Sequence, residues 1–254
     1  MIGQLPDAVM AHGPGSEAAR LTSEFVRSRL GNEPTGHDWW HALRVRRLAC
    51  HIAQAEGAHM QVVELAALLH DIADAKFTGN DDDGPRLAAE WLRSIDVEET
   101  VVAAVRDIVA SISFKGALLP EEPLSPEGAC VRDADRLDAM GAVGIARTFA
   151  YGGYVRRPIH DPEQPPILHD SVESYRRTLG TTTNHFHEKL LLLRDRLMTP
   201  TGRALGRRRH QVMVDFLREF DVEWEGRDVE LSSIDGIAWP VGTNMDSYYG
   251  SHPG

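Results

Sequence analysis

Val62-Val63-Glu64-Leu65-Ala66-Ala67-Leu68-Leu69-His70-Asp71 is the stretch that decides how this chain is read. Its apolar residues recur at the spacing of a buried helix and run straight into a histidine–aspartate doublet. A buried imidazole beside a buried carboxylate is costly unless both find partners. A metal ion is a partner for both. Two further candidates stand apart in the chain: His41, within His37-Asp38-Trp39-Trp40-His41, and Asp135, within Asp133-Ala134-Asp135-Arg136-Leu137-Asp138. The plain alternative is a helix-end histidine bonded to a neighbouring carboxylate. It explains the doublet alone but not four such residues, each beside an apolar helical stretch.

The 254 residues are enough for a substantial core. A formal charge of −11 argues against coating a nucleic-acid polymer, which needs a dominant basic surface, yet leaves open a small anion bound by local charges. Cys50 and Cys130 stand alone, without a CxxC pair, and read as buried thiols in a reducing compartment. No apolar run approaches the roughly 20 residues of a membrane span, and the N-terminus lacks signal-peptide character. The expectation is a soluble, cytoplasmic protein, with a homodimer left open.

Helical periodicity dominates: Ser16 to Leu30, Asp38 to Glu56, His59 to Ala75, Pro85 to Ser94, Glu98 to Ile112, Glu127 to Tyr151, Asn184 to Met198 and Thr201 to Trp224. Strand-type alternation is scarce. The expected fold class is all-α, about nine or ten helices without internal repeats. Residues 1–15 read as an N-terminal extension, 16–225 as the domain, and 226–254 as a tail or strap that contributes little to chemistry. Gly152 to Asp170, rich in Gly, Pro, Arg and His, reads as a long loop or lid. Asp81-Asp82-Asp83-Gly84 reads as a solvated loop and helix N-cap.

Two imidazoles and two carboxylates suit one borderline divalent ion: Mn²⁺ first, with Fe²⁺, Co²⁺ or Ni²⁺ as alternatives and Mg²⁺ as a substitute. A structural zinc ordinarily recruits cysteine, and neither cysteine is near these motifs. Four protein ligands on a six-coordinate ion leave room for water and a substrate oxygen. Such an ion acidifies bound water and polarises a phosphoryl group, the two needs of phosphoester hydrolysis.

With its doublet at His70-Asp71, the chain resembles the HD-domain metal-dependent phosphohydrolases. The resemblance extends to a bacterial subgroup of small nucleotide-hydrolysing HD proteins. It is carried by HDWWHALRV (His37 to Val45), ALLHDIADAKF (Ala67 to Phe77), SFKG (Ser113 to Gly116), DADRLDAMGAVGIARTFAYGG (Asp133 to Gly153) and NHFHEKLLLLRDRL (Asn184 to Leu197). It implies a helical bundle with a metal in its core, held by His41, His70, Asp71 and Asp135. It also implies a nucleoside triphosphate pyrophosphohydrolase acting through metal-activated water. A phosphomonoesterase and a non-catalytic nucleotide-binding or interaction module are the competing readings. HD-type oxygenases hold two irons through extra histidines between the doublet and the last aspartate. Ile72 to Arg132 contains none, so a second metal of that kind is not expected.

Supporting roles are expected of a wider set. Asp74, three residues after Asp71, is placed to orient or deprotonate the attacking water, or else pairs with Lys76 or Arg44. Lys76 and Lys115 are lone cations at the ends of apolar segments and suit phosphate, where the plain alternative is a surface lysine. Arg44 shares the face of His41. Arg147, Tyr151 and Tyr154 lead toward the Gly-rich loop and are candidates for substrate contact. Of the pair flanking Phe186, His185 is expected to face the pocket and His187 the solvent. Trp39 and Trp40 read as packing residues. Asp133 competes with Asp135 for the metal, but two positions away on a helix it points elsewhere.

Overall fold

The computed structural model describes residues 16–31, 38–73, 83–112, 123–167 and 180–228. It divides into two units, Met1–Val214 and Asp215–Gly254. Nine α-helices and no strand occur among the described residues: α1 (Glu17–Leu30), α2 (Trp39–Glu56), α3 (Met60–Leu69), α4 (Asp83–Ser94), α5 (Glu99–Ile112), α6 (Pro126–Asp138), α7 (Gly141–Tyr154), α8 (Thr182–His185) and α9 (Pro200–Trp224). None is long and apolar enough to cross a membrane.

Local signals set the starts of these helices. The side chains of Ser16, Asp38 and Ser125 each accept a hydrogen bond from the backbone N–H three residues on, and Pro126 opens α6 where its missing N–H costs nothing. Every residue of α3 from Val62 to Leu69 is buried. This helix is the centre of the first unit, packed on α1, α2, α5 and α6. Its one charged residue, Glu64, is neutralised by Arg46 of α2, whose Nε donates at 2.9 Å. Cys130 is buried and Cys50 half-buried, both as free thiols whose burial raises their pKa to about 12 and about 11.

The structure corrects four expectations. Helix α3 stops at Leu69, and His70 to Ala73 form a turn closed by the Ile72 N–H on the Leu69 carbonyl. The segment read as one helix from Glu127 to Tyr151 is two, because Gly141 adopts a left-handed φ of 71°, with Arg209 packed 3.2 Å from where a Cβ would stand. Helix α7 continues through Gly152 and Gly153, so the loop begins only after Tyr154. A Cβ on Gly152 would lie 2.4 Å from Thr182 Oγ1, so this glycine serves close helix approach rather than chain reversal. The Asn184–Met198 stretch is a short α-helix followed by a π turn (Phe186–Leu190) and a 3₁₀ segment (Leu191–Arg196). In addition, Trp40 is exposed rather than packed, and His187 is half-buried rather than exposed. The Asp81–Asp82 portion of the acidic loop lies outside the described residues, and α4 begins at Asp83.

Asp133 of α6 joins that helix to the start of α9. Its carboxylate accepts from Met198 N at 2.8 Å and from Thr199 N and Oγ1, each at 2.7 Å. In the second unit α9 carries a ladder of rings at four-residue spacing, with centroids of Phe216 and Phe220 6.0 Å apart and of Phe220 and Trp224 5.7 Å apart.

Asp133 is held by three donors and has nowhere to go. A Cβ on Gly202 would fall 2.2 Å from its Oδ2. Gly202→Ala should therefore cost about 1–3 kcal/mol of stability through overpacking, read by urea unfolding. An unchanged midpoint would show that the α6–α9 junction is looser than this packing implies.

Candidate metal centre

Three elements converge on one point. The first turn of α2 carries His41, set in place by Asp38, whose Oδ1 accepts the His41 backbone N–H at 2.9 Å. The turn after α3 brings His70 and Asp71. The last turn of α6 brings Asp135 and Asp138. His41 Nε2 lies 3.1 Å from His70 Nε2, 3.3 Å from Asp71 Oδ2 and 3.5 Å from Asp135 Oδ1. His70 Nε2 lies 3.4 Å and 3.8 Å from the same two oxygens. Donor atoms of His41, His70 and Asp71 fall within 4.8 Å of one another, a spacing that can hold a metal ion.

The far side of each ring determines its chemistry. His41 Nδ1 sits 2.7 Å from Asp138 Oδ2, and His70 Nδ1 sits 2.9 Å from the Ala67 carbonyl. Both partners are acceptors, so each Nδ1 carries the hydrogen and each Nε2 presents a lone pair. With both rings neutral, two nitrogen lone pairs and two carboxylates then face one another with no donor between them. Only a cation relieves this arrangement, and two N and two O donors suit a borderline divalent ion.

The acid–base properties carry the same message. Burial works against a charge on His70, but the neighbouring Asp71 outweighs it and raises the pKa to about 9. His41 is likewise raised, its burial overcome by hydrogen bonds to Asp138 and Asp71. Burial opposes ionisation of Asp71, yet the charge of His70 and the hydrogen bond from His41 hold its carboxyl well below the usual range. Without a metal, a proton takes the cation's place.

Asp138 is the residue that sequence reasoning did not single out. It is buried, and despite that burial the hydrogen bonds from His41 and Arg44 keep its carboxyl below the usual range. Its place three residues after Asp135, on the same helix face, was the available signal. Arg44 donates Nε to Asp138 Oδ1 at 2.7 Å and Nη2 to Oδ2 at 3.0 Å, and Arg147 donates Nη1 to Oδ2 at 2.5 Å. Arg44 and Arg147 are therefore brought to the centre. Tyr151 lies further along α7 and is exposed, as is Tyr154. His185 opens the π turn, where burial and the charges of Lys189 and Arg157 push its pKa down to about 3, leaving it neutral. Asp133 points away, to the start of α9. Asp74, Lys76 and Lys115 lie outside the described residues.

Residues 39–140, which contain His41, His70, Asp71, Asp135 and Asp138, match the HD domain family model. Over 213 residues the chain is 38% identical to the uncharacterized protein YpgQ of Bacillus subtilis, covering 82% of this chain and 94% of that one. The chain belongs to the HD-domain family. Solved structures agree. A Lactobacillus plantarum protein superposes with a TM-score of 0.74 at 35% identity, over 84% of this chain and 100% of that one. An HD-superfamily hydrolase of Bacillus thuringiensis gives 0.67 at 37% identity, over 84% and 99%. YpgQ in complex with ADP gives 0.64 at 32%, over 87% and 97%. The family and its geometry make the protein a metal-dependent hydrolase.

Two outcomes follow from this geometry. Alanine at His70 or Asp71 should abolish bound metal and turnover while leaving the helical circular dichroism largely intact; a full equivalent of metal in either variant would remove them from the ligand set. Binding should also release protons, because His70 in the metal-free protein is protonated up to about pH 9. Apparent Mn²⁺ affinity should accordingly rise as pH increases from 6 toward 9, and calorimetric heats at pH 7 should depend on the buffer's ionisation enthalpy. Buffer-independent heats would contradict this.

Proposed function

We propose that the protein is a nucleoside triphosphate pyrophosphohydrolase, cleaving its substrate to a nucleoside monophosphate and pyrophosphate with one divalent ion, Mn²⁺ first, held by His41, His70, Asp71 and Asp135. The observation that carries this reading is the pair of guanidiniums beside the centre. Arg44 and Arg147, from two different helices, both donate to Asp138, the carboxylate behind His41. Two forked cations side by side next to the candidate metal ligands suit an extended anion better than a neutral group.

A divalent ion in this donor set supplies Lewis acidity toward water and a phosphoryl oxygen. The chain supplies the rest. Arg44 and Arg147, joined by Lys76 and Lys115, neutralise the charge that develops on the departing pyrophosphate, which spreads over several oxygens. Asp74 accepts the proton of the attacking water. Tyr151 and His185 contribute to the base or sugar end; His185 is neutral and suited to a hydrogen bond rather than an ion pair. That YpgQ was solved with ADP supports a nucleotide as the substrate class.

The test is a panel of nucleoside mono-, di- and triphosphates with Mn²⁺, reading phosphate and pyrophosphate separately. Triphosphates should be the best substrates and pyrophosphate the product. Lys115→Ala should slow triphosphate turnover by roughly 10²-fold, the loss of one charge-stabilising donor, and affect any monophosphate activity much less. Inorganic phosphate as the sole product, with monophosphates preferred, would identify a phosphomonoesterase instead.

A further inference from the structure

One carboxylate at the end of α6 collects donors from two other helices. Asp138 is almost wholly enclosed, its side chain 2% exposed, so no solvent shares its charge. Its Oδ1 accepts from Arg44 Nε, and its Oδ2 accepts from Arg44 Nη2, His41 Nδ1 and Arg147 Nη1. His41 and Arg44 lie three residues apart on one face of α2, while Arg147 comes from α7. Nothing else described near the centre binds both a candidate metal ligand and the cations beside it.

We infer that Asp138 is a positioning residue with two simultaneous duties: it locks His41 with Nε2 toward the ion, and it aims Arg44 and Arg147 at the substrate's anionic tail. The first duty follows from chemistry. A carboxylate behind a metal-binding imidazole selects the tautomer, orients the ring and raises its donor strength. The second follows from geometry. Fork-like guanidiniums are directional: two bonds to Asp138 fix the plane of Arg44, and one bond tethers Arg147 to the same anchor. The same anion thus ties retention of the ion to recognition of the anion. An amide in its place would keep the shape but lose the charge, and it would turn an N–H₂ toward groups that are themselves donors.

A purely structural ion pair is the competing account, and α6 contains its own comparison. Asp133 is equally buried but accepts only from Met198 and Thr199, at the start of α9. If Asp138 merely held helices together, its loss would resemble the loss of Asp133.

The experiment uses the full chain, titrated calorimetrically with Mn²⁺ alone, together with kcat and KM at saturating Mn²⁺ and thermal unfolding. Asp138→Asn should weaken Mn²⁺ binding by roughly 10–100-fold, the usual cost of losing such a supporting carboxylate, and should raise KM for triphosphate. Arg147→Gln should raise KM by about tenfold, the loss of one charge-assisted contact, without changing Mn²⁺ affinity. Asp133→Asn should lower the melting temperature and leave Mn²⁺ affinity unchanged. A folded Asp138→Asn protein with wild-type Mn²⁺ affinity and KM would overturn the inference, as would loss of Mn²⁺ affinity in Asp133→Asn equal to that in Asp138→Asn. Should Asp138→Asn not fold, Asp138→Glu decides the matter: it keeps the charge but displaces it by one methylene, and wild-type values there would equally overturn the inference. The substrate arm rests on the triphosphate reading; the Mn²⁺ arm does not. If the wild-type protein turns over no triphosphate, that reading fails by itself, and the affinity for inorganic pyrophosphate replaces KM as the readout.

Discussion

Two imidazole nitrogens 3.1 Å apart, each with its other nitrogen committed to an acceptor, cannot face each other in a buried pocket unless a cation stands between them. The rest of the site depends on that constraint. It explains why two carboxylates close in on the same point, and why the His70 pKa is raised to about 9 in the metal-free protein. A site built to be stable on its own would have offered a donor. This one is complete only with a positive charge inside it.

The helices deliver that arrangement through their ends and not their middles. His41 occupies the first turn of α2, His70 and Asp71 the turn that ends α3, and Asp135 and Asp138 the last turn of α6. Helix interiors commit their backbone to their own ladder, whereas termini leave groups free and let side chains converge from different directions. Within α6 the aspartates at 133, 135 and 138 show how a rotation about one axis divides labour. One holds Met198 and Thr199 just ahead of α9, one faces the two imidazole Nε2 atoms, and one stands behind His41.

Charge is organised locally against the global balance. The chain carries a formal −11, yet beside the metal centre two arginines share one carboxylate. Screening confines surface charges to about 10 Å at ordinary ionic strength, so the net charge of the chain does not set the field beside His41.

The all-α class and the membership of the HD family were legible from the sequence, because 3.6-residue periodicity and the His-Asp doublet at the end of an apolar run are local patterns. His41, His70, Asp71 and Asp135 could be singled out as candidates for the same reason: each is a metal-type residue bordering an apolar helical stretch, and the fold brings the first three within metal-binding spacing. The break at Gly141, the extension of α7 through Gly152 and the π turn after His185 were not legible. They answer to neighbours distant in the chain, Arg209 and Thr182 among them, rather than to local propensity. Asp138 was hidden in a different way. Its residue type and position were in plain view, but a carboxylate becomes a hub only when its partners are folded onto it. His41 and Arg44 stand 97 and 94 residues earlier in the chain, and Arg147 belongs to the next helix. Sequence determined which groups were available; the packing of α2, α6 and α7 decided which of them share a charge, because Coulombic and hydrogen-bond partners are set by distance in space and not along the chain.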